Sequence, residues 1–419
     1  MKILHTADWH LGNTFHGHTR TEEHRHFFDW LLTILRDRQP DALLITGDVF
    51  DSANPSAQAE ELLYTFLLRA TTLLPGLQIV LTAGNHDSAG RIEAPAALLK
   101  THNVYVRGTI HYTEDDEPDF EHYILPLSER GDDEAKCVCF ALPFLRCGDY
   151  PSGMTPEEGM EYYFKKLQKT LKKTDFKKLP VIAAAHFYAA QAEICEEEHS
   201  ERLVIGGQDC IDPAVLGDRI SYTALGHIHK AQQVRSSRPV YYAGSPLPMS
   251  FSEIRYQQGV YEIELDEDGD CEMIRLVYNP LRRLQCIPAA GQAGTVDEVF
   301  REIEELPKRR KGDDGYNWPY LEIRIEELQP EPTLLHEVME ALSDCAVHFC
   351  RMVRVNRNRT QDAGESQENL TAETLHSISP LQMARRFFDT RYGNDMPQEL
   401  IDRFKMAEEA AMSEFSSED

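Results

Sequence analysis

Five short apolar runs in this 419-residue chain each lead into residue types that can bind metals. The runs cover residues 3–4, 42–45, 79–81, 181–185 and 222–225. They are followed by Asp8-Trp9-His10, Gly47-Asp48, Gly84-Asn85-His86-Asp87, His186, and Gly226-His227-Ile228-His229. Runs of this length, bounded by turn residues, read as buried strands. In α/β sheets ligands bind just beyond the carboxyl ends of strands. Five strand ends carrying Asp, Asn or His therefore point to one shared site.

The donor types narrow the chemistry. Asp8, Asp48 and Asn85 offer hard oxygens, and His10, His186, His227 and His229 offer imidazole nitrogen; no cysteine falls in these motifs. Mixed oxygen and nitrogen sites without thiolate suit Mn²⁺, Fe²⁺ or Zn²⁺ better than Ca²⁺ or an iron–sulfur cluster. Seven donors exceed what one catalytic ion with open positions needs. They suit two ions bridged by one carboxylate, typically about 3.5–4 Å apart. Singly, each motif has a bland reading: an Asp-x-His is often a surface turn, and a strand-end histidine such as His186 is often structural. His227 and His229 say more, because alternate residues on an extended chain point the same way.

In this order, D-x-H, G-D, G-N-H-D, H and G-H-x-H resemble the calcineurin-like metallophosphoesterase superfamily. The stretches from His5 to Gly12, Gly47 to Asp51 and Ala224 to His229, with Gly244-Ser245-Pro246 beyond, resemble its SbcD-type branch of bacterial nuclease subunits. The resemblance implies an α/β fold: a β-sandwich flanked by helices, a small α+β capping domain and a C-terminal helical partner-binding segment. It implies Asp8, His10, Asp48 and His229 around one ion, and Asp48, Asn85, His186 and His227 around the other, with Asp48 bridging. His86 matches the catalytic histidine, which would protonate the leaving 3′ oxygen or steady the transition state; the plainer alternative is an orienting role. The implied cofactor is two Mn²⁺, with Fe²⁺ or Mg²⁺ in their place. The implied activity is cleavage of DNA ends and hairpins in double-strand-break processing, with an SbcC-type ATPase as partner and a homodimer formed through nuclease-domain helices. Archaeal and eukaryotic relatives carry a second functional histidine where this chain has Asp51, an aspartate common in bacterial members.

Two other functions compete. A protein phosphatase or small-molecule phosphodiesterase would share the fold, but phosphoprotein phosphatases carry Gly-Asp-x-Val-Asp-Arg-Gly and Gly-Asn-His-Glu. This chain has Val49-Phe50-Asp51-Ser52 after Gly47-Asp48, and Asp87 after His86. A non-catalytic DNA-end tether is opposed by the complete donor set and His86.

The net charge of −27 is awkward for a nucleic-acid enzyme, whose phosphate contacts come from Lys and Arg. The charge is uneven, with acidic clusters at 114–121, 129–134 and 193–201 and basic islands at 165–178, 308–311 and 351–359. Phe164, Leu167 and Leu171 place the first island on the outer face of a helix. A partner subunit that holds most of the DNA would also reconcile the charge with the chemistry. With no long apolar run, no membrane span is expected. A first strand that leads straight to ligands is no signal peptide. Nine scattered cysteines fit reduced thiols, so a cytoplasmic location is expected.

The metal domain is expected over 1–279, with helices near 22–38, 57–74 and 92–100 between the first strands and β-rich stretches at 104–145 and 234–278. His16, His18, His24 and His26 read as surface residues. Ala59, Leu62, Leu63, Phe66, Leu67 and Ala70 form the inner face of the 57–74 helix, leaving Tyr64 and Leu68 as a second apolar strip. A capping domain is expected over 280–356, with helices at 295–306 and 332–343 and strands at 320–327 and 346–355. A polar linker follows at 357–378. Residues 379–419 then form two helices with faces of Leu381, Ala384, Phe387, Phe388, Tyr392 and of Leu400, Ile401, Phe404, Ala407, Ala411. Such a unit is too small to bury these faces alone, so it either folds back on the chain or docks in a partner's groove.

Overall fold

The computed structural model describes residues 1–193, 210–289, 292–326 and 332–355, and then positions 381, 385, 388, 396–398 and 400–405. The expected linker at 357–378, most of the 379–419 segment and most of the acidic run at 193–201 lie outside the described residues. The chain divides into two compact units, Met1–Arg283 and Leu284–Asp419.

In chain order the first unit contains β1 (Lys2–Thr6), the short hairpin β2 (Thr14–Phe15) and β3 (His18–Thr19), α1 (Thr21–Arg38), β4 (Ala42–Thr46), α2 (Ala57–Leu73), β5 (Gln78–Thr82), α3 (Ala89–Glu93), α4 (Ala96–Leu99) and β6 (Val104–Arg107). Then come β7 (Ile124–Ser128), β8 (Ala135–Ala141), α5 (Pro156–Leu171), β9 (Val181–His186), β10 (Ile220–Gly226), β11 (Gln232–Val234), β12 (Val240–Tyr242), β13 (Gly259–Leu265) and β14 (Cys271–Val277). One six-stranded sheet has the order β14-β13-β1-β4-β5-β6, and the other β11-β12-β10-β9-β8-β7. The strands that lead into the motifs, β1, β4 and β5 in one sheet and β9 and β10 in the other, pair in parallel.

Alternation along each strand explains the layers. On β4, Ala42 and Leu44 join Ile3, Val80, Cys137, Cys139, Ile182 and Ala224 in the core between the sheets. Leu43 and Ile45 face the other way, into the core made with Phe27 and Leu31 of α1 and Leu63 and Phe66 of α2. The outer face of the second sheet packs Phe140 and Val181 against Phe164 and Leu167 of α5. Both faces of each sheet are covered, which is why the strands read as continuous apolar runs. Helix starts follow local chemistry: Ser56 caps α2, and Thr155 with Glu158 forms a capping box before Pro156 of α5.

The reading of His24 as a surface residue is corrected: it is buried, with Nε2 2.8 Å from the Trp9 carbonyl. His16 is exposed, and His18 and His26 are half-buried. The short helix expected at 92–100 is two pieces, α3 and α4.

The second unit contains β15 (Leu284–Ile287), α6 (Val296–Glu304), β16 (Tyr320–Glu326), α7 (Leu334–Ala341) and β17 (His348–Val355), with a parallel sheet ordered β15-β16-β17. Val299, Ile303, Leu334 and Val338 pack on Leu321, Ile323 and Ile325. Phe388 and Ile401 are buried, so these two positions of the expected tail faces are covered within the chain. Among the described residues no helix is long and apolar enough to cross a membrane.

Candidate metal centre

The loops after β1 and β4 are joined through their backbones. Asp8 N donates to Gly47 O at 3.1 Å, His10 N to Asp48 O at 2.9 Å and Leu11 N to Val49 O at 2.9 Å. This path bends the backbone sharply. Asp8, His10, Asp48 and His227 all have positive φ, at 53°, 46°, 45° and 108°. Such conformations cost roughly 1–3 kcal/mol each and persist only where the surroundings over-determine them. Four of the seven expected ligands sit in this state. The flanking glycines are required by close approach: a Cβ on Gly84 would lie 2.1 Å from Asp48 Oδ1, and one on Gly226 would lie 1.8 Å from the Thr46 carbonyl oxygen.

The side chains converge in a continuous cluster. His186 Nδ1 donates to Thr46 O at 3.0 Å, which turns Nε2 toward Asn85 Oδ1 at 2.9 Å and Asp48 Oδ2 at 3.4 Å. His227 Nδ1 lies 3.0 Å from the same Asn85 oxygen. His10 Nε2 is 3.8 Å from Asp48 Oδ2 and 3.2 Å from His229 Nε2. The Asp8 carboxylate accepts from His227 N at 2.9 Å, and that of Asp48 from His86 N at 2.8 Å. All seven expected ligands and His86 are thus brought together, with Asp48 between the His10 and His186 sides.

The donor set fits divalent cations on three grounds. Asp8 Oδ2 is buried with no hydrogen-bond partner, an arrangement expensive in a protein interior unless a cation answers it. His10 and His229 oppose ring nitrogens that only a shared proton or a cation reconciles. The groups titrate as a site short of positive charge: burial pushes the Asp8 carboxyl up to about 7 against the pull of His186 and His229. Burial also drops His227 to about 3, leaving a lone pair for coordination. Burial opposes ionisation of Asp48 too, but the His186 charge and hydrogen bond outweigh it and hold the carboxyl well below its ordinary range.

Three supporting groups were not assigned from the sequence, and only Asp87 carried a signal there. Glu253, on a short turn after Gly244-Ser245-Pro246, is buried with Oε1 3.3 Å from His229 Nδ1, while Oε2 accepts Met249 N at 2.8 Å. Thr46 orients His186 through its carbonyl. Asp87 accepts from the backbone N–H groups of Gly84, Phe50 and Val49, tying two ligand loops together. Its place in the Gly-Asn-His-Asp motif was the only pointer. Asp51 gains a physical role: Oδ1 lies 3.4 Å from His10 Nδ1 and accepts from Asn13, and its carbonyl accepts from His86 Nδ1 at 2.9 Å.

The family model of calcineurin-like phosphoesterases matches residues 1–231, and that of the type 5 capsule protein repressor C-terminal domain matches 277–392. The chain is 35% identical to the SbcD subunit of nuclease SbcCD from Rhodobacter capsulatus over 389 residues, 90% of this chain and 93% of that protein. It is 28% identical to the SbcD subunit of the same nuclease from Escherichia coli K12 over 400 residues, 92% of each. With the Bacillus subtilis protein of that name the identity is 30% over 335 residues, 78% of this chain and 80% of the other. The chain belongs to the calcineurin-like phosphoesterase family, in its SbcD branch.

Proposed function

We propose that this chain is the Mn²⁺-dependent nuclease subunit of a two-component DNA-processing complex, cleaving phosphodiesters at DNA ends and hairpins. The observation that carries the reading is the convergence of seven oxygen and nitrogen donors from five strand ends in one cluster, with the Asp48 carboxylate between its His10 and His186 sides. Asp8, His10, Asp48 and His229 would hold one ion, and Asp48, Asn85, His186 and His227 the other. Bound divalent ions would neutralise the phosphodiester and supply a more acidic water for in-line attack.

The protein's own part is positional. Asp51 and Glu253 fix the rings of His10 and His229. His86, its Nδ1 proton held by the Asp51 carbonyl, keeps Nε2 for a proton delivered to the departing 3′ oxygen. The second unit would be the capping domain. The chain end would dock on an SbcC-type ATPase, as the name of the SbcCD relatives suggests. The complete donor set favours this reading over a non-catalytic tether.

The test is hydrolysis of linear and hairpin DNA with and without Mn²⁺, alone and with an SbcC-type partner, beside a phosphoprotein substrate. Metal-dependent DNA cleavage, with co-purification that is lost on deleting 379–419, is expected. Hydrolysis of the phosphoprotein alone would move the chain to the phosphatases.

A further inference from the structure

We infer that Arg146 forms a subsite for a backbone phosphate of the bound strand, next to the phosphodiester being cleaved. The inference rests on the nuclease reading above and assigns a residue that none of the ligand motifs contains.

The segment after β8 places this side chain. Leu142 N donates to Ala184 O at 2.9 Å, beside the end of β9, and Phe144 N donates to Ala83 O at 2.9 Å, at the end of β5. Residues 142–146 therefore cross from one sheet to the other at the ends of the strands that carry His186 and Asn85. The Phe144 ring stands edge-on to His186, with centroids 6.0 Å apart. Arg146 lies over the same ring, its Cζ 5.9 Å from the centroid, and its Nη2 donates to the Asp87 carbonyl at 3.2 Å, one residue after His86. The guanidinium is thus tied to the loop that carries both Asn85 and His86.

Its charge has no answer within the described residues. Arg146 is exposed and makes no ion pair with a carboxylate among them. The nearby Asp149 carboxylate is engaged by the Arg146 backbone N–H at 2.7 Å. In a chain of net charge −27, an exposed arginine without a carboxylate, held in place by an aromatic ring and a carbonyl, is a pre-organised cation. One of its five donors is spent, and the planar fork of the rest suits a phosphate. A polynucleotide offers such a group on either side of the scissile bond; a small diester offers none.

The experiment compares R146Q and R146K with wild type on linear DNA and on bis(p-nitrophenyl) phosphate, under saturating Mn²⁺. R146Q is expected to raise KM for DNA about tenfold, the scale of one charged hydrogen bond. That loss should exceed its loss on the small diester by a similar factor. The slope of log(1/KM) for DNA against log salt should fall by about 1 in R146Q. R146K should regain the salt slope, which follows the charge, but only part of the KM, which also needs the planar fork. Equal losses on both substrates would make Arg146 a strut for the Asp87 loop and overturn the subsite. So would an unchanged KM and salt slope in a protein that cleaves DNA. If wild type hydrolyses the small diester but no DNA, the nuclease reading itself fails and takes the subsite with it.

Discussion

Asp48 and His86 lie in consecutive motifs yet should fail differently when changed. Asp48 faces both halves of the donor cluster, so Asp48→Asn is expected to lose hydrolysis and to weaken Mn²⁺ binding together; calorimetric titration with wild-type stoichiometry and affinity would count against its bridging place. His86→Ala should keep the metals and the fold while turnover falls about 10²–10⁴-fold, the range for one general acid or base. Glu253 separates positioning from chemistry. Removing a carboxylate behind a ligating histidine typically costs about 10–100-fold in metal affinity or activity, so Glu253→Ala should raise the Mn²⁺ concentration needed for half-maximal rate. An unaltered metal requirement would reduce Glu253 to packing. The donor cluster was legible in the sequence because its members lie at the ends of five buried strands. Glu253 was not, because its partner lies 24 residues away and meets it only through tertiary structure. His24 was misread for a related reason: the carbonyl that its Nε2 meets belongs to Trp9, in the loop after β1, so the burial of this α1 position came only with tertiary structure.

The elements around the centre were largely foreseen from periodicity. Helices α1 and α2 lie where apolar spacing put them, α5 carries the expected stripe of Phe164, Leu167 and Leu171, and the inner face of α2 is the expected set of Ala59, Leu62, Leu63, Phe66, Leu67 and Ala70. The four-residue strand β15 escaped notice because so short a run has no period of its own. On the outer side of α2, Leu68 is 60% exposed, an apolar residue that pairing with a second copy would cover. Leu68→Glu should therefore leave a monomer where wild type dimerises, read by light scattering at micromolar concentration; a wild-type chain that is itself monomeric would end the idea. Helix α3, which follows the His86 loop, is anchored by Glu93. Its carboxylate accepts from the backbone and hydroxyl of Thr109 and lies 3.0 Å from His111 Nε2 and 3.7 Å from His122 Nε2. Burial raises this carboxyl, but the His122 and Thr109 contacts and the His111 charge outweigh it and hold it at about 2 instead of 4.5. A depressed carboxyl stabilises fully above its unfolded value and loses that contribution as pH falls toward the folded one. Glu93→Gln should thus cost roughly 2 kcal/mol at pH 7 and progressively less below pH 4, measured by denaturant unfolding at both. A constant gap across pH would assign the loss to shape.

At the scale of the whole first unit, the cluster joins two sheets. Asp8, His10, Asp48 and Asn85 follow strands of one, and His186, His227 and His229 follow strands of the other. Ions that bind only the folded arrangement stabilise it by mass action, about 2.7 kcal/mol at a hundredfold excess over Kd. Mn²⁺ should raise the melting temperature of the metal-free protein by roughly 5–10 °C, and Asp48→Asn should lose most of that rise; calorimetry with and without chelator reads both. The seven donors span residues 8–229, so no single motif could show the seam; only the ordered set of five pointed to one shared site in a sandwich flanked by helices.

The order of strands carries one more consequence, for the chain as it is made. β1 is an interior strand whose outer neighbour is β13, with Lys2 opposite Glu264. Strand β1 leaves the ribosome early, yet its sheet is complete only when β14 has followed, at Val277. His229 and Glu253 arrive almost as late. A nascent or prematurely ended chain carries Asp8, Asp48 and His86 without the partners that would arm them. The lateness of its last strands makes the cutting centre a product of the whole first unit and not of its first half.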